Sequence, residues 1–101
     1  MPDTTVIHVR DFQPGDIYIG REMPRKGLAG SIWQNRWRIQ PGLTRADVLH
    51  LYEIDLSIML CHPAIYDIEA LRGHRLACWC HPKPCHGDIL VKILSERNQD
   101  A

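Results

Sequence analysis

Apolar residues recur at spacings of three and four from Val48 through Leu49, Tyr52, Leu56 and Met59 to Leu60. That is the period of a helix with one buried face. Thr44 stands three residues before Asp47, a weak form of the capping box, whose usual partner is Glu or Gln. His62-Pro63 closes this helix, and Pro63 can open a second short one. Ile65, Ile68 and Leu71 would share its face, and Gly73 would end it. Strand patterns lie on both sides. V-I-H-V-R at 6–10 predicts a short strand, and Pro14-Gly15 a turn. Residues 17–20 predict a second strand or an edge segment. H-R-L-A-C-W at 74–79 predicts a third strand, with Leu76 and Cys78 on one face and Ala77 and Trp79 on the other. Pro82 and Pro84 keep the next turn out of a helix. A last helix starts near Gly87 or Asp88, with Ile89, Leu90, Ile93 and Leu94 on one side. Residues 98–101 read as a frayed tail.

The predicted order is strand, strand, loop, helix, helix, strand, helix. It implies an α/β fold: a small single-domain sheet flanked by helices, with a long Gly- and Trp-containing loop. One domain would span 1–101, with its core at about 6–97. The loop, 21–42, is long for a compact domain. Ile32, Trp33, Trp37 and Ile39 favour a packed loop over a floppy one.

The formal charge is zero, with 12 basic and 12 acidic residues, which argues against a general nucleic-acid binder without excluding a local site. The distribution changes that picture, because residues 20–38 carry five basic residues and one acid. A local anion site or a solvated basic face would both account for it. No signal-peptide or transmembrane pattern is visible, so reduced thiols and a cytoplasmic location are expected, with no membrane contact.

The densest chemistry lies in C-W-C-H-P-K-P-C-H-G at 78–87. Cys80, Cys85 and His86, with Cys78, are a candidate ligand set for zinc or an iron–sulfur cluster. Their spacing is neither a zinc ribbon nor a ferredoxin run. The same residues suit thiol catalysis. Cys85 precedes a helix N-terminus, which lowers a thiol pKa, and His81 or His86 would act as base. Asp88 would cap the last helix or orient a histidine. That helix start also suits a phosphate or carboxylate. Against these readings, Cys78, Cys61 and Trp79 fit core packing.

The Gly-rich loop is the second feature. Gly27 and Gly30 permit close backbone approach, Ser31 and Asn35 supply neutral hydrogen bonds, and Arg21 is the leading anion contact. The loop is neither a P-loop nor a dinucleotide fingerprint. Trp33 and Trp37 would stack on a base or pin the loop to the core.

Taken together, V-I-H-V-R, Y-I-G-R, G-S-I-W-Q-N-R-W and L-A-C-W-C-H-P-K-P-C-H-G-D-I-L resemble the uncharacterised DUF4326 family of small bacterial and phage proteins. The likeness runs from about Val6 to Leu94. It places the family's signature residues on Tyr18, Gly20, Arg21, Gly30, Ser31, Asn35, Cys78, Cys80, Pro82, Cys85, His86, Gly87 and Asp88. Family members often carry G-N-P where this chain has Gln34-Asn35-Arg36, which keeps Asn35 and alters the loop around it. The resemblance implies a shared site and no particular reaction.

The leading expectation is binding and chemical processing of a small anionic ligand, such as a nucleotide or nucleoside, by a hydrolase or transferase. Cys80, Cys85, His86 and Asp88 would be catalytic. Tyr18, Gly20, Arg21, Gly30, Ser31, Asn35 and Gly87 would hold the ligand. A metal-stabilised interaction module and a nucleic-acid-binding domain are the alternatives.

Overall fold

The computed structural model describes residues 3–98. Three parallel strands form the sheet: β1 (Thr5–His8), β2 (Ile17–Tyr18) and β3 (Arg75–Cys78). Their order is β1-β3-β2, so the last strand of the chain lies between the first two. Thr5 pairs with Arg75 and His8 with Cys78 on one side, and Ile17 with Leu76 and Tyr18 with Ala77 on the other. Leu76, Ala77 and Cys78 are all buried. A central parallel strand covered on both faces has that short, continuous apolar run.

Charge fixes the entry to β3. The Arg75 guanidinium holds Asp16 through both carboxylate oxygens, at 2.9 and 2.7 Å, tying the 9–16 connection to the centre of the sheet. Asp16 stays below the usual carboxylate range because of this hydrogen-bonded pair.

Two helices flank the sheet, α1 (Arg45–Met59) and α2 (His86–Asn98). The capping box at α1 is complete. Thr44 Oγ1 accepts from the Asp47 amide at 3.2 Å, and Asp47 accepts from the Thr44 amide at 2.9 Å. Aspartate therefore does here what glutamate usually does. Thr44→Ala removes one half of this arrangement and is expected to cost about 0.5–2 kcal/mol, read as a lower midpoint in urea unfolding with an unchanged slope. Val48, Tyr52 and Leu56 form the buried face of α1. Tyr52 and Leu56 join Leu90 and Leu94 of α2 in the same core.

Three expectations are corrected. Trp79 is not core: it is half-exposed, with its indole N–H on the Tyr18 hydroxyl. The second helix after Pro63 is absent. Residues 61–66 form turns, and only a 3-10 turn, Ile68–Leu71, follows. Asp67 caps that turn by accepting from the Glu69 amide. Ile68 and Leu71 are buried while Ile65 is exposed, so the three do not share a face. Cys61 is not core either. It is exposed, and its thiol donates to the Ser57 carbonyl. Of the expected tail, Asn98 ends α2 and 99–101 lie outside the described residues.

The 21–42 loop is tied down mainly by hydrogen bonds; of its four expected apolar anchors only Trp33 is buried, and Ile32, Trp37 and Ile39 are exposed. Ser31 N donates to Gly20 O, and Met23 pairs with Leu28. Trp33 is in the core, where its carbonyl accepts from the buried Tyr52 hydroxyl at 2.8 Å. The Trp37 indole N–H donates to Asp55. Among the described residues no helix is long and apolar enough to cross a membrane.

Candidate functional site

The carboxyl ends of β2 and β3 run into the two segments that carried the chemistry in the sequence. Beyond β2 come Ile19, Gly20 and Arg21, and beyond β3 the cysteine turn. Between them lies a cavity of about 510 Å³. Its wall includes Gly20, Arg21 and Asn35 on the loop side and Cys78, Cys80, Cys85 and His86 on the turn side. Arg38, Arg45, Trp37 and Trp79 complete its polar and aromatic lining. No lining residue is acidic. Among the described residues, none of the three guanidiniums is paired with a carboxylate.

Hydrogen bonds hold the strand ends together. The Trp79 indole donates to the Tyr18 hydroxyl at 2.9 Å, which donates to the Arg21 carbonyl at 2.6 Å. Tyr18 thus positions Arg21 from outside the cavity wall. A Cβ at Gly20 would stand 2.5 Å from the Tyr18 hydroxyl, so that ring position requires glycine. The Arg21 side chain reaches the Asn35 and Trp37 carbonyls at 3.4 and 3.3 Å. Asn35 is buried and fully engaged: its amide donates to Val48 O, and its oxygen accepts from Trp37 N. It pins the loop to α1. Ser31 Oγ accepts from Trp33 N, and Gly30 packs close to Glu22. Both shape the loop and do not line the cavity.

On the turn side the closest partners are Cys78 and Cys85. Both are buried, both are free thiols, and their sulfurs lie 3.1 Å apart. A thiol S–H donating to a neighbouring sulfur favours the thiolate there. Cys78 falls to about 6, first through the Cys85 hydrogen bond and then through the His81 and Cys80 backbone amides, with burial opposing. Cys85 moves upward, because it holds the shared proton and is buried. The pair therefore loses one proton early and the second late. Cys85 is also the residue before α2. Asp88 accepts from the Cys85 amide at 3.0 Å, and its own amide donates to the Cys85 carbonyl at 3.0 Å. Asp88 is a helix cap.

His86 is buried, and its Nε2 lies 2.7 Å from the Ile19 carbonyl. A carbonyl only accepts, so Nε2 carries the proton and Nδ1 is the basic nitrogen of the neutral ring. Burial holds His86 below its ordinary pKa. Gly87 lets α2 approach the sheet: a Cβ there would lie 2.9 Å from Ile19 Cδ1 and 3.1 Å from Val6 Cγ2. Cys80 is half-buried and lines the cavity. Among the described residues no group of three or more His, Cys, Asp or Glu side chains is arranged to hold a metal.

Two lining residues, Arg38 and Arg45, escaped the sequence reading. Cys78 was read as core, which its burial bears out, or as a possible metal ligand, and its contact with Cys85 has no signature in the spacing. Arg38 was only one of several basic residues. Arg45 carried a usable signal: a guanidinium in the first turn of a helix opposes the helix dipole, so helix stability does not ask for it. Its side chain donates to the Pro84 carbonyl at 3.0 Å, joining the start of α1 to the cysteine turn.

This arrangement defines a small α/β domain with a ligand-sized cavity at the carboxyl ends of its strands. The chain belongs to the family described as Domain of unknown function (DUF4326), whose model matches residues 7–96. It is also similar to the uncharacterized 12.4 kDa protein in the nrdA-td intergenic region of Enterobacteria phage T4, with 54% identity over 33 residues. That match covers 33% of this chain and 31% of the phage protein. No solved structure matches the chain.

Proposed function

We propose that this protein binds a small anionic ligand of the nucleotide or nucleoside class in the cavity and acts on it as a hydrolase or transferase. One observation carries the reading: a single cavity combines three guanidiniums that, among the described residues, have no carboxylate partner, no acidic lining residue and two cysteine sulfurs in contact. Its volume of about 510 Å³ suits a ligand of that size. Arg21, Arg38 and Arg45 supply charge for a phosphate, and guanidinium is the group best matched to it. Trp37 and Trp79 supply aromatic surface for a base.

The Cys78 thiolate is the nucleophile in this reading. It forms a bond to an electrophilic carbon of the ligand as the leaving group departs with the bonding pair, and Cys85 gives its proton to that group. Water, or a second acceptor, then displaces Cys78 and completes hydrolysis or transfer. Cys80 lies at the wall as a second contact. His86 and Asp88 position the start of α2.

Titration of the reduced protein with nucleoside mono- and diphosphates at low salt tests the binding step. Arg38→Ala plus Arg45→Ala is expected to weaken binding about 100-fold or more, since hydrogen bonds to charged groups contribute roughly 1.5–3 kcal/mol each. Equal affinity in wild type and double variant, or no binding of any of these nucleotides, sinks the reading.

A further inference from the structure

We infer that Cys78 and Cys85 form a reversible disulfide that switches the cavity between a reactive and a closed chemical state. The inference rests on the reading of this cavity as the working site, and it adds the means of its regulation. Four observations carry it. The two sulfurs are already in contact at 3.1 Å, with no other atom bridging them. Both cysteines are free. Cys78 ends β3, and Cys85, the residue before α2, is fixed by its amide bond to Asp88. Both line a cavity that opens to solvent, so a small oxidant reaches them although they are buried. Forming the bond requires the sulfurs to close by about 1 Å, to roughly 2.05 Å.

The oxidant is a small-molecule disulfide, and one with carboxylates suits the three guanidiniums. The Cys78 thiolate attacks one of its sulfurs, forming a mixed disulfide and expelling a thiolate. Cys85 passes its proton to that thiolate, and its own sulfur attacks the Cys78 sulfur. The Cys78–Cys85 bond forms as the second half of the reagent leaves as thiolate. Two electrons and one proton leave the pair, and the reagent becomes one thiol and one thiolate. A reducing thiol reverses both steps. In the oxidised form Cys78 has no free sulfur for attack, while the guanidiniums are untouched.

Reduced full-length protein is equilibrated with glutathione and glutathione disulfide over a range of ratios. It is then acid-quenched, labelled with N-ethylmaleimide and weighed intact. The expected oxidised species is two hydrogen masses lighter and takes two maleimides, on Cys61 and Cys80, where the reduced protein takes four. Cys80→Ser still gives a species two hydrogen masses lighter, now with one maleimide on Cys61, and Cys85→Ser does not. Four maleimides at every ratio, or a light species that survives Cys85→Ser and disappears in Cys80→Ser, overturns the inference. Wild type and Cys80→Ser suffice if Cys85→Ser does not fold. Nucleotide titration of the same reduced sample separates the two ideas. Binding without disulfide formation defeats only the switch, and disulfide formation without binding defeats only the proposed ligand.

Discussion

In a protein carrying Cys61→Ser and Cys80→Ser, iodoacetamide is expected to modify Cys78 with a pH midpoint near about 6. Only Cys78 and Cys85 remain in that variant. The thiolate, not the thiol, reacts, so labelling falls as pH falls through the Cys78 pKa and levels off above it. Adding Cys85→Ala removes the S–H donor, the largest cause of the low value. The midpoint then moves up toward the ordinary thiol range, about 8.5. At pH 6 the rate is expected to drop about tenfold, because loss of thiolate outweighs the higher nucleophilicity of a more basic sulfur. The midpoint is the sharper measurement. A profile centred near the ordinary thiol value in both proteins would show that the two sulfurs do not share a proton.

Gly87→Val is expected to produce the largest loss of stability. The added side chain would meet Ile19 Cδ1 and both methyls of Val6, with its first carbon already at 2.9 to 3.2 Å. Those neighbours cannot swing aside: Ile19 is fully buried, and Val6 lies in β1, paired to β3. Over-packing of this kind costs about 1–3 kcal/mol, a sizeable share of the roughly 5–15 kcal/mol that holds a domain. Thermal unfolding should move down by about 4–8 °C for each kcal/mol. The variant also separates stability from site geometry. Pushing the start of α2 off the sheet displaces Cys85 and His86 together, so the low-pH labelling of Cys78 should be lost even at temperatures where the protein stays folded. Unchanged labelling would mean that the sheet, and not the helix start, yields to the larger side chain.

The elements readable in the sequence were those whose signals are local. α1 has a long helical period and a cap at its start, and β3 and α2 were recognised on either side of the cysteine turn. β2, expected over 17–20 as a strand or edge segment, is an edge strand of only two residues, Ile17–Tyr18. The segment after Pro63 misled because three apolar residues at spacings of three satisfy a 3-10 turn as well as a helix. At the site, the meeting of Arg21 and Asn35 with Cys80, Cys85 and His86 on one cavity was expected from loop chemistry, and the structure places them there. The Cys78–Cys85 contact was not readable. Cys78 on its strand looks like any buried residue, and only the path of the turn brings Cys85 back to it. Arg45 was missed because the anion search stayed in the loop.

The position of β3 has a consequence for how the chain is made. β1 and β2 do not touch each other; each bonds only to β3, and Thr5 waits for Arg75 before it has a partner. During vectorial synthesis β1 and β2 therefore leave the ribosome as unpaired edges. At about 5–20 residues per second, several seconds separate them from the strand that joins them. Helix α1 can form early from local contacts, but this sheet cannot form until β3 has been made. The cavity comes later still, because its far wall is the turn that follows β3. The sheet and the pocket thus arrive almost together.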